Sequence, residues 1–150
     1  MKLSQHLSLK EVTASNTAKR KGIDNTPTSE HLENLKVIAE NIFEPLRAHF
    51  RVPIGISSGY RSIELNKAIR GSKTSDHCKG MALDIDADMY GEITNYEIFM
   101  YIYHRLDFKQ LIWEKGNDDE PQWVHVSFDP NNNKKQVLKY SNGKYTPFNL

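Results

Sequence analysis

Ser75-Asp76-His77-Cys78-Lys79-Gly80-Met81-Ala82-Leu83-Asp84-Ile85-Asp86 changes character halfway along. Up to Gly80 it is polar and reads as a loop carrying His77. From Met81 it alternates, with Ala82, Asp84 and Asp86 set against Met81, Leu83 and Ile85. In an extended strand the two sets point to opposite faces of a sheet. Gly80 and Ala82 are small enough to let backbone approach closely. A buried Asp84 is costly unless it is paired or bound to a metal. Trp123-Val124-His125-Val126-Ser127 repeats the pattern, with His125 on the face opposite Val124 and Val126. If these two strands are neighbours, His77, Asp84 and His125 converge. Two imidazoles and a carboxylate, with the fourth position left to water, suit a catalytic zinc ion. The same residues also fit a hydrogen-bonded structural histidine and an aspartate that caps a turn, and the pattern leaves both readings open.

Outward from that stretch, Ser8-Leu9-Lys10-Glu11 fits a capping box for a short first helix. Ser15–Thr28, broken by Gly22 and Pro27, reads as a loop. Leu32, Leu35, Ile38, Ala39, Ile42, Phe43, Leu46 and Phe50 fall at helical spacing, and Pro45 inside them is expected to kink or shorten the helix. Val52–Ser57 reads as a strand, Ser58–Arg61 as a turn, and Ser62–Ile69 as a short helix. Thr94-Asn95-Tyr96-Glu97 is a second capping box, opening a helix to about Leu106. Leu111–Glu114 and Trp123–Phe128 read as strands. Gln136–Tyr140 and Lys144–Thr146 form a hairpin across Asn142-Gly143. Helices and strands in blocks imply an α+β fold with a central antiparallel sheet flanked by helices, in one domain spanning residues 1–150.

Composition mainly excludes. The 150 residues hold 20 Lys+Arg, 19 Asp+Glu, six His and one Cys. One cysteine cannot make an internal disulfide framework or a Cys-rich zinc finger. A net charge of +1 is unlike the strongly basic face of a dedicated nucleic-acid binder. No apolar run approaches the roughly 20 residues that span a membrane. Met1–His6 lacks the apolar core of a signal peptide, so synthesis in the cytoplasm is expected. His6, His31, His49 and His104 have no metal-ligand spacing and read as surface or packing residues. Cys78 reads as a small packing residue that points away from His77 if the loop is extended there.

The motif Ser-x-His-x-x-Gly-x-Ala-x-Asp at Ser75–Asp84, followed by Trp123-Val124-His125-Val126-Ser127, resembles the zinc D-Ala-D-Ala carboxypeptidase family. That group includes the D-Ala-D-Ala dipeptidases of vancomycin resistance and the L-alanyl-D-glutamate endopeptidases of phage lysins. The Hedgehog signalling domain shares its fold and zinc ligands. Ser57-Ser58-Gly59-Tyr60-Arg61-Ser62 with Leu65-Asn66 fits as well. Thr17-Ala18 and Gly22-Ile23-Asp24-Asn25 resemble the phage-type branch, so the likeness runs from about Leu7 to Phe128.

The resemblance implies a Hedgehog/DD-peptidase-like fold, zinc as cofactor, and His77, Asp84 and His125 as its ligands. It implies that Arg61 contacts the scissile carbonyl, where a fixed guanidinium can stabilise a developing oxyanion. Ser75 matches a serine that touches substrate. Tyr60 and Gln122 are expected to bind substrate too, and Tyr60, Trp113 and Trp123 are candidates to line a groove. Many family members carry Glu or Asp three residues before the last zinc histidine, where this chain has Gln122. Glu114, at the end of Leu111-Ile112-Trp113-Glu114, is the replacement expected to act as general base and acid. If Glu114 instead orients a histidine ligand, the base is missing or Asp86 or Asp88 supplies it.

The reading is a zinc metallopeptidase that hydrolyses peptidoglycan stem peptides, as a D,D-carboxypeptidase or an L-Ala-D-Glu endopeptidase. It is expected to act as a monomer, without nucleic acid or a membrane span, at the cell wall after release. The competing reading is a catalytically silent, zinc-containing module that binds cell-wall peptide or a protein partner, and Gln122 is the residue that favours it.

Overall fold

A computed structural model describes residues 1–149. The chain begins with α1 (Leu9–Thr13), closed by the reciprocal Ser8–Glu11 capping box. A second helix, α2 (Asn16–Lys21), occupies part of the segment expected to be loop. Ser15 caps its first turn by accepting from the Ala18 amide, and Gly22 ends it at φ 66. These end signals make a helix without any apolar stripe. The long helical pattern resolves into α3 (Ser29–Ile38), a π-helical turn (Ala39–Phe43) and α4 (Glu44–Phe50). Pro45 enters at the first turn of α4, where its missing N–H costs least. The widened turn before it, with the Glu44 amide reaching Ala39, carries the helix through without a break.

The strands are β1 (Gly55–Ser58), β2 (Ala82–Asp86), β3 (Gln110–Glu114), β4 (Trp123–Ser127), β5 (Gln136–Ser141) and β6 (Lys144–Pro147). Between them lie α5 (Ile63–Ala68), a 3-10 turn at Asp76–Lys79 and α6 (Asn95–Arg105), which opens with the Thr94–Glu97 capping box. They form one six-stranded sheet in the order β1-β2-β4-β3-β5-β6. The fold is therefore α+β as expected. The sheet is mixed rather than wholly antiparallel, because β5 runs parallel to β3. The polar connection from β4 to β5 crosses to the far side of β3 instead of turning straight back. β6 is the outer edge, and Lys144 and Pro147 blunt it against further pairing.

Strand alternation gives the sheet two different faces. Leu83, Ile85, Leu111, Trp113, Val124 and Val126 are buried against Ile38, Ile42, Phe43 and Leu46 of the long helical run and Ile98, Phe99 and Ile102 of α6. Burying such side chains is worth roughly 1.5–3 kcal/mol each, and this layer is the core. The opposite face carries Asp84, His125 and Glu114, and no helix layer covers it. Two tethers close the remaining gaps. Glu44 accepts from the Ser4 hydroxyl at 2.6 Å and lies 2.7 Å from His6 Nδ1, which pins the N-terminal segment. Asn25 donates to the Thr13 and Tyr60 carbonyls and accepts from the Ser62 amide, so it staples α1 to the start of α5.

Gly80 turns the chain from the His77 loop into β2 with φ +72, and a Cβ there would lie 2.5 Å from the His31 carbonyl oxygen. Left-handed strain and backbone collision act together at this position. Gly80→Ala is expected to lower unfolding free energy by about 2–3 kcal/mol, measured by urea denaturation.

Candidate active site

Strand register lays the open face out in rows. Asp84 of β2 faces His125 of β4, which faces Ile112 of β3, which faces Leu138 of β5. Two residues further along, Trp123, Glu114, Tyr140 and Tyr145 form the next row. Two residues the other way, Ala82, Ser127, Gln110 and Gln136 form a third. At about 3.3 Å per residue the outer rows lie roughly 13 Å apart, with Asp84 and His125 between them. This face floors a cleft of about 920 Å³, walled by Arg61 and by the segment Arg70–His77.

His77 is buried at the cleft wall by the 3-10 turn that Ser75 caps, its hydroxyl accepting from the His77 amide at 3.2 Å. His77 Nδ1 lies 2.6 Å from the Gly59 carbonyl oxygen. A carbonyl can only accept, so Nδ1 carries a proton and Nε2 is the atom left to face Asp84. That Nε2 is 3.3 Å from Asp84 Oδ1, and His125 Nδ1 is 2.9 Å from the same oxygen. One ligand atom from each of the three residues lies within 4.8 Å of the other two. Burial alone would push the Asp84 carboxyl up, but His77 and His125 outweigh it and hold it well below the usual carboxylate range. Two imidazole nitrogens and a charged carboxylate oxygen match the donor set of an open zinc site. Gly59 supplies the outer hydrogen bond that fixes ligand orientation. The residues fit a metal ion.

Arg61 lines the cleft, and its Nη2 donates to Ser75 Oγ at 3.2 Å. Its Nε is buried with no partner among the described residues. Burial draws the guanidinium below its ordinary value while the Asp84 charge opposes that shift. A fixed cationic side chain lining the cleft is suited to an oxygen that gains negative charge. Glu114 sits diagonally from His125, one strand over and one row along, a separation that long side chains bridge. Burial pushes its carboxyl up to about 7, with His125 opposing and Asp84 adding.

That shift has a consequence for stability without metal. Between about pH 4.5, the ordinary carboxyl value, and about 7, folded Glu114 keeps a proton that the unfolded chain releases. Its contribution is full below that window and is lost as pH rises through it. Urea titrations of metal-free protein are expected to show a falling slope of up to one proton, which Glu114→Gln removes.

The structure does not bring every expected residue into the cleft. Tyr60 is only 5% exposed and lies in the core. It lies beyond the end of β1, with its ring packed at 5.5 Å between centroids from His31. Gln122 is exposed and outside the cleft lining. It lies in the bend before β4, where its amide donates to the Glu114 carbonyl oxygen and its own carbonyl accepts from Asn95 Nδ2. Trp113 faces the core against Phe99 and Phe148, leaving Trp123 as the groove tryptophan. Asp86 accepts from the Asp88 amide and from Asn95 Nδ2, and neither aspartate lines the cleft. Asp24 makes a local turn with the Thr26 amide. Cys78 is in the 3-10 turn rather than an extended loop, and burial pushes its thiol up, away from a nucleophile's range.

Three features of the site have no counterpart in the sequence reading. The Gly59 carbonyl is a backbone group and leaves no residue signature. Lys109 bonds both Asp76 oxygens at 3.0 Å across 33 residues, bracing the His77 turn against β3. Tyr140 and Tyr145 join the cleft because β5 pairs with β3.

A sequence model described as Peptidase M15 matches residues 5–127, a span that holds His77, Asp84, His125, Arg61 and Glu114 and leaves β5 and β6 outside. No curated protein matches the chain. Among the described residues, no helix is long and apolar enough to cross a membrane.

Proposed function

The chain belongs to the Peptidase M15 family, a zinc D-Ala-D-Ala carboxypeptidase-type family of peptidases, and from that premise we propose that it hydrolyses stem peptides of bacterial peptidoglycan at a zinc site formed by His77, Asp84 and His125. The observation that carries the reading is the convergence of three oriented ligand atoms within 4.8 Å, midway along an open cleft. Bound there, zinc supplies a Lewis acid that polarises the scissile carbonyl and makes water acidic enough to attack near neutral pH. Glu114 accepts the proton of the attacking water and returns it to the leaving amine. Its burial keeps its proton affinity close to neutral, where one group can serve as both base and acid. Arg61 holds the carbonyl oxygen as it gains charge, and Ser75 fixes the guanidinium while capping the His77 turn.

The cleft floor continues on both sides of Asp84 and His125, which suits an internal bond better than a terminal one. We therefore favour an endopeptidase over a carboxypeptidase. The silent-module reading rested on Gln122, whose side chain is outside the cleft, while Glu114 places a carboxylate inside it. Digestion of purified peptidoglycan by zinc-loaded protein, followed by mass spectrometry, tests the reading. Release of new peptide amino and carboxyl termini is expected, and it identifies the bond. Intact stems after prolonged incubation would favour the binding module.

A further inference from the structure

The β5–β6 hairpin lies beyond the residues that match the family, yet it forms one side of the cleft. β5 runs parallel to β3 with Tyr140 opposite Glu114, and Tyr145 of β6 sits opposite Tyr140. The two phenol rings are 4.6 Å apart between centroids. Trp123 stands in the same row on the other side of Glu114, with Lys115 Nζ 5.5 Å from its ring centre. Tyr145 is 59% exposed, so its ring is open to a ligand at the cleft. Tyr145 and Glu114 line the same cleft, with Tyr140 between them in the row.

The opposite end of the cleft differs in chemistry. Arg70 and Lys134 line it together with Ser72 and Thr74, while Lys109 there is already paired with Asp76. Stem peptides carry several carboxylates, and this cationic end complements them. Their residues are small, acidic or basic, and none offers a broad neutral face to cover paired tyrosines. The glycan to which the stem is attached does: one face of a pyranose is a patch of C–H bonds, which fits the electron-rich face of an aromatic ring.

We propose that Tyr140 and Tyr145, facing Trp123 across Glu114, form a platform that binds a pyranose ring of the glycan strand while the acidic stem extends toward Arg70 and Lys134. The platform rests on the stem-peptide reading of the site. It gives the hairpin a role in specificity: substrate still attached to sugar is preferred over free peptide.

The test compares kcat/KM on a disaccharide-linked stem peptide with that on the same peptide without sugar. Wild type is expected to prefer the sugar-linked substrate about five- to tenfold, mainly through KM. Tyr145→Ala and Tyr140→Ala are expected to bring that ratio toward one. Tyr145→Phe should keep it, because the ring rather than the hydroxyl makes the contact. Tyr145 is on an exposed edge strand, so its replacement leaves the core intact, and zinc content is measured on each variant. A ratio that stays at the wild-type value in both alanine variants overturns the platform. So does an equal fall on both substrates, which would assign the tyrosines to a peptide side chain. If wild type cleaves neither substrate, the hydrolase reading fails by itself. The platform is then decided by the Trp123 indole N–H signal in NMR titration with free disaccharide. A shift that Tyr145→Ala abolishes supports it, and no shift overturns it.

Discussion

Asp84→Asn is expected to reduce bound zinc from one per chain to near zero and to lower peptide hydrolysis by at least about 10³-fold. The size follows from the position of the carboxylate. Asp84 is the shared anion of the site, its Oδ1 within 3.3 Å of His77 Nε2 and 2.9 Å of His125 Nδ1. An amide oxygen has the same shape but no charge, and its nitrogen is a donor that no cation tolerates as a ligand. The fold should survive, because β2 remains paired on both sides and its apolar face is unchanged. Far-ultraviolet circular dichroism and metal analysis on one sample separate loss of zinc from loss of structure. A variant that keeps stoichiometric zinc would mean that the metal is held elsewhere.

Glu114→Gln is expected to behave differently. It should keep one zinc per chain and bind substrate nearly as wild type does, while kcat falls about 10²–10⁴-fold, the usual worth of a positioned general base. Glutamine fills the same space in the row between Trp123 and Tyr140 but cannot take a proton. Gln122→Ala is the companion variant. Its side chain is exposed and outside the cleft lining, so its rates should stay within about twofold of wild type. Steady-state kinetics on a synthetic stem peptide reads both. A Glu114→Gln variant that keeps wild-type kcat would remove Glu114 from the chemistry.

Much of this site follows from parity along two strands. Met81–Asp86 and Trp123–Ser127 alternate, and once they are neighbours Asp84 and His125 must share a face. Gln122 falls in the bend before β4 and outside the cleft lining, although motif position alone had grouped it with the substrate-binding residues. Both capping boxes, at Ser8 and Thr94, are local hydrogen-bond patterns and were readable as such. Other features depend on pairings that no local pattern encodes. The parallel alignment of β5 with β3 brings in Tyr140 and Tyr145 from a hairpin that resembles any surface hairpin. Tyr60 lies beyond the end of β1, so no strand alternation foretells that its ring packs inward against His31. The α2 helix is six residues long with a single buried side chain, so it has no amphipathic period to detect. Long-range contacts such as Lys109 to Asp76 become visible only when the sheet is assembled.

Zinc titration into metal-free protein, with stem-peptide hydrolysis as the readout, tests the central claim most directly. Activity is expected to be absent without metal, to rise linearly with added zinc and to level off at one equivalent per chain. The same titration on Asp84→Asn should show no rise. Full hydrolysis by metal-free protein would contradict the account, and so would one tightly bound zinc ion with no cleavage at any ratio.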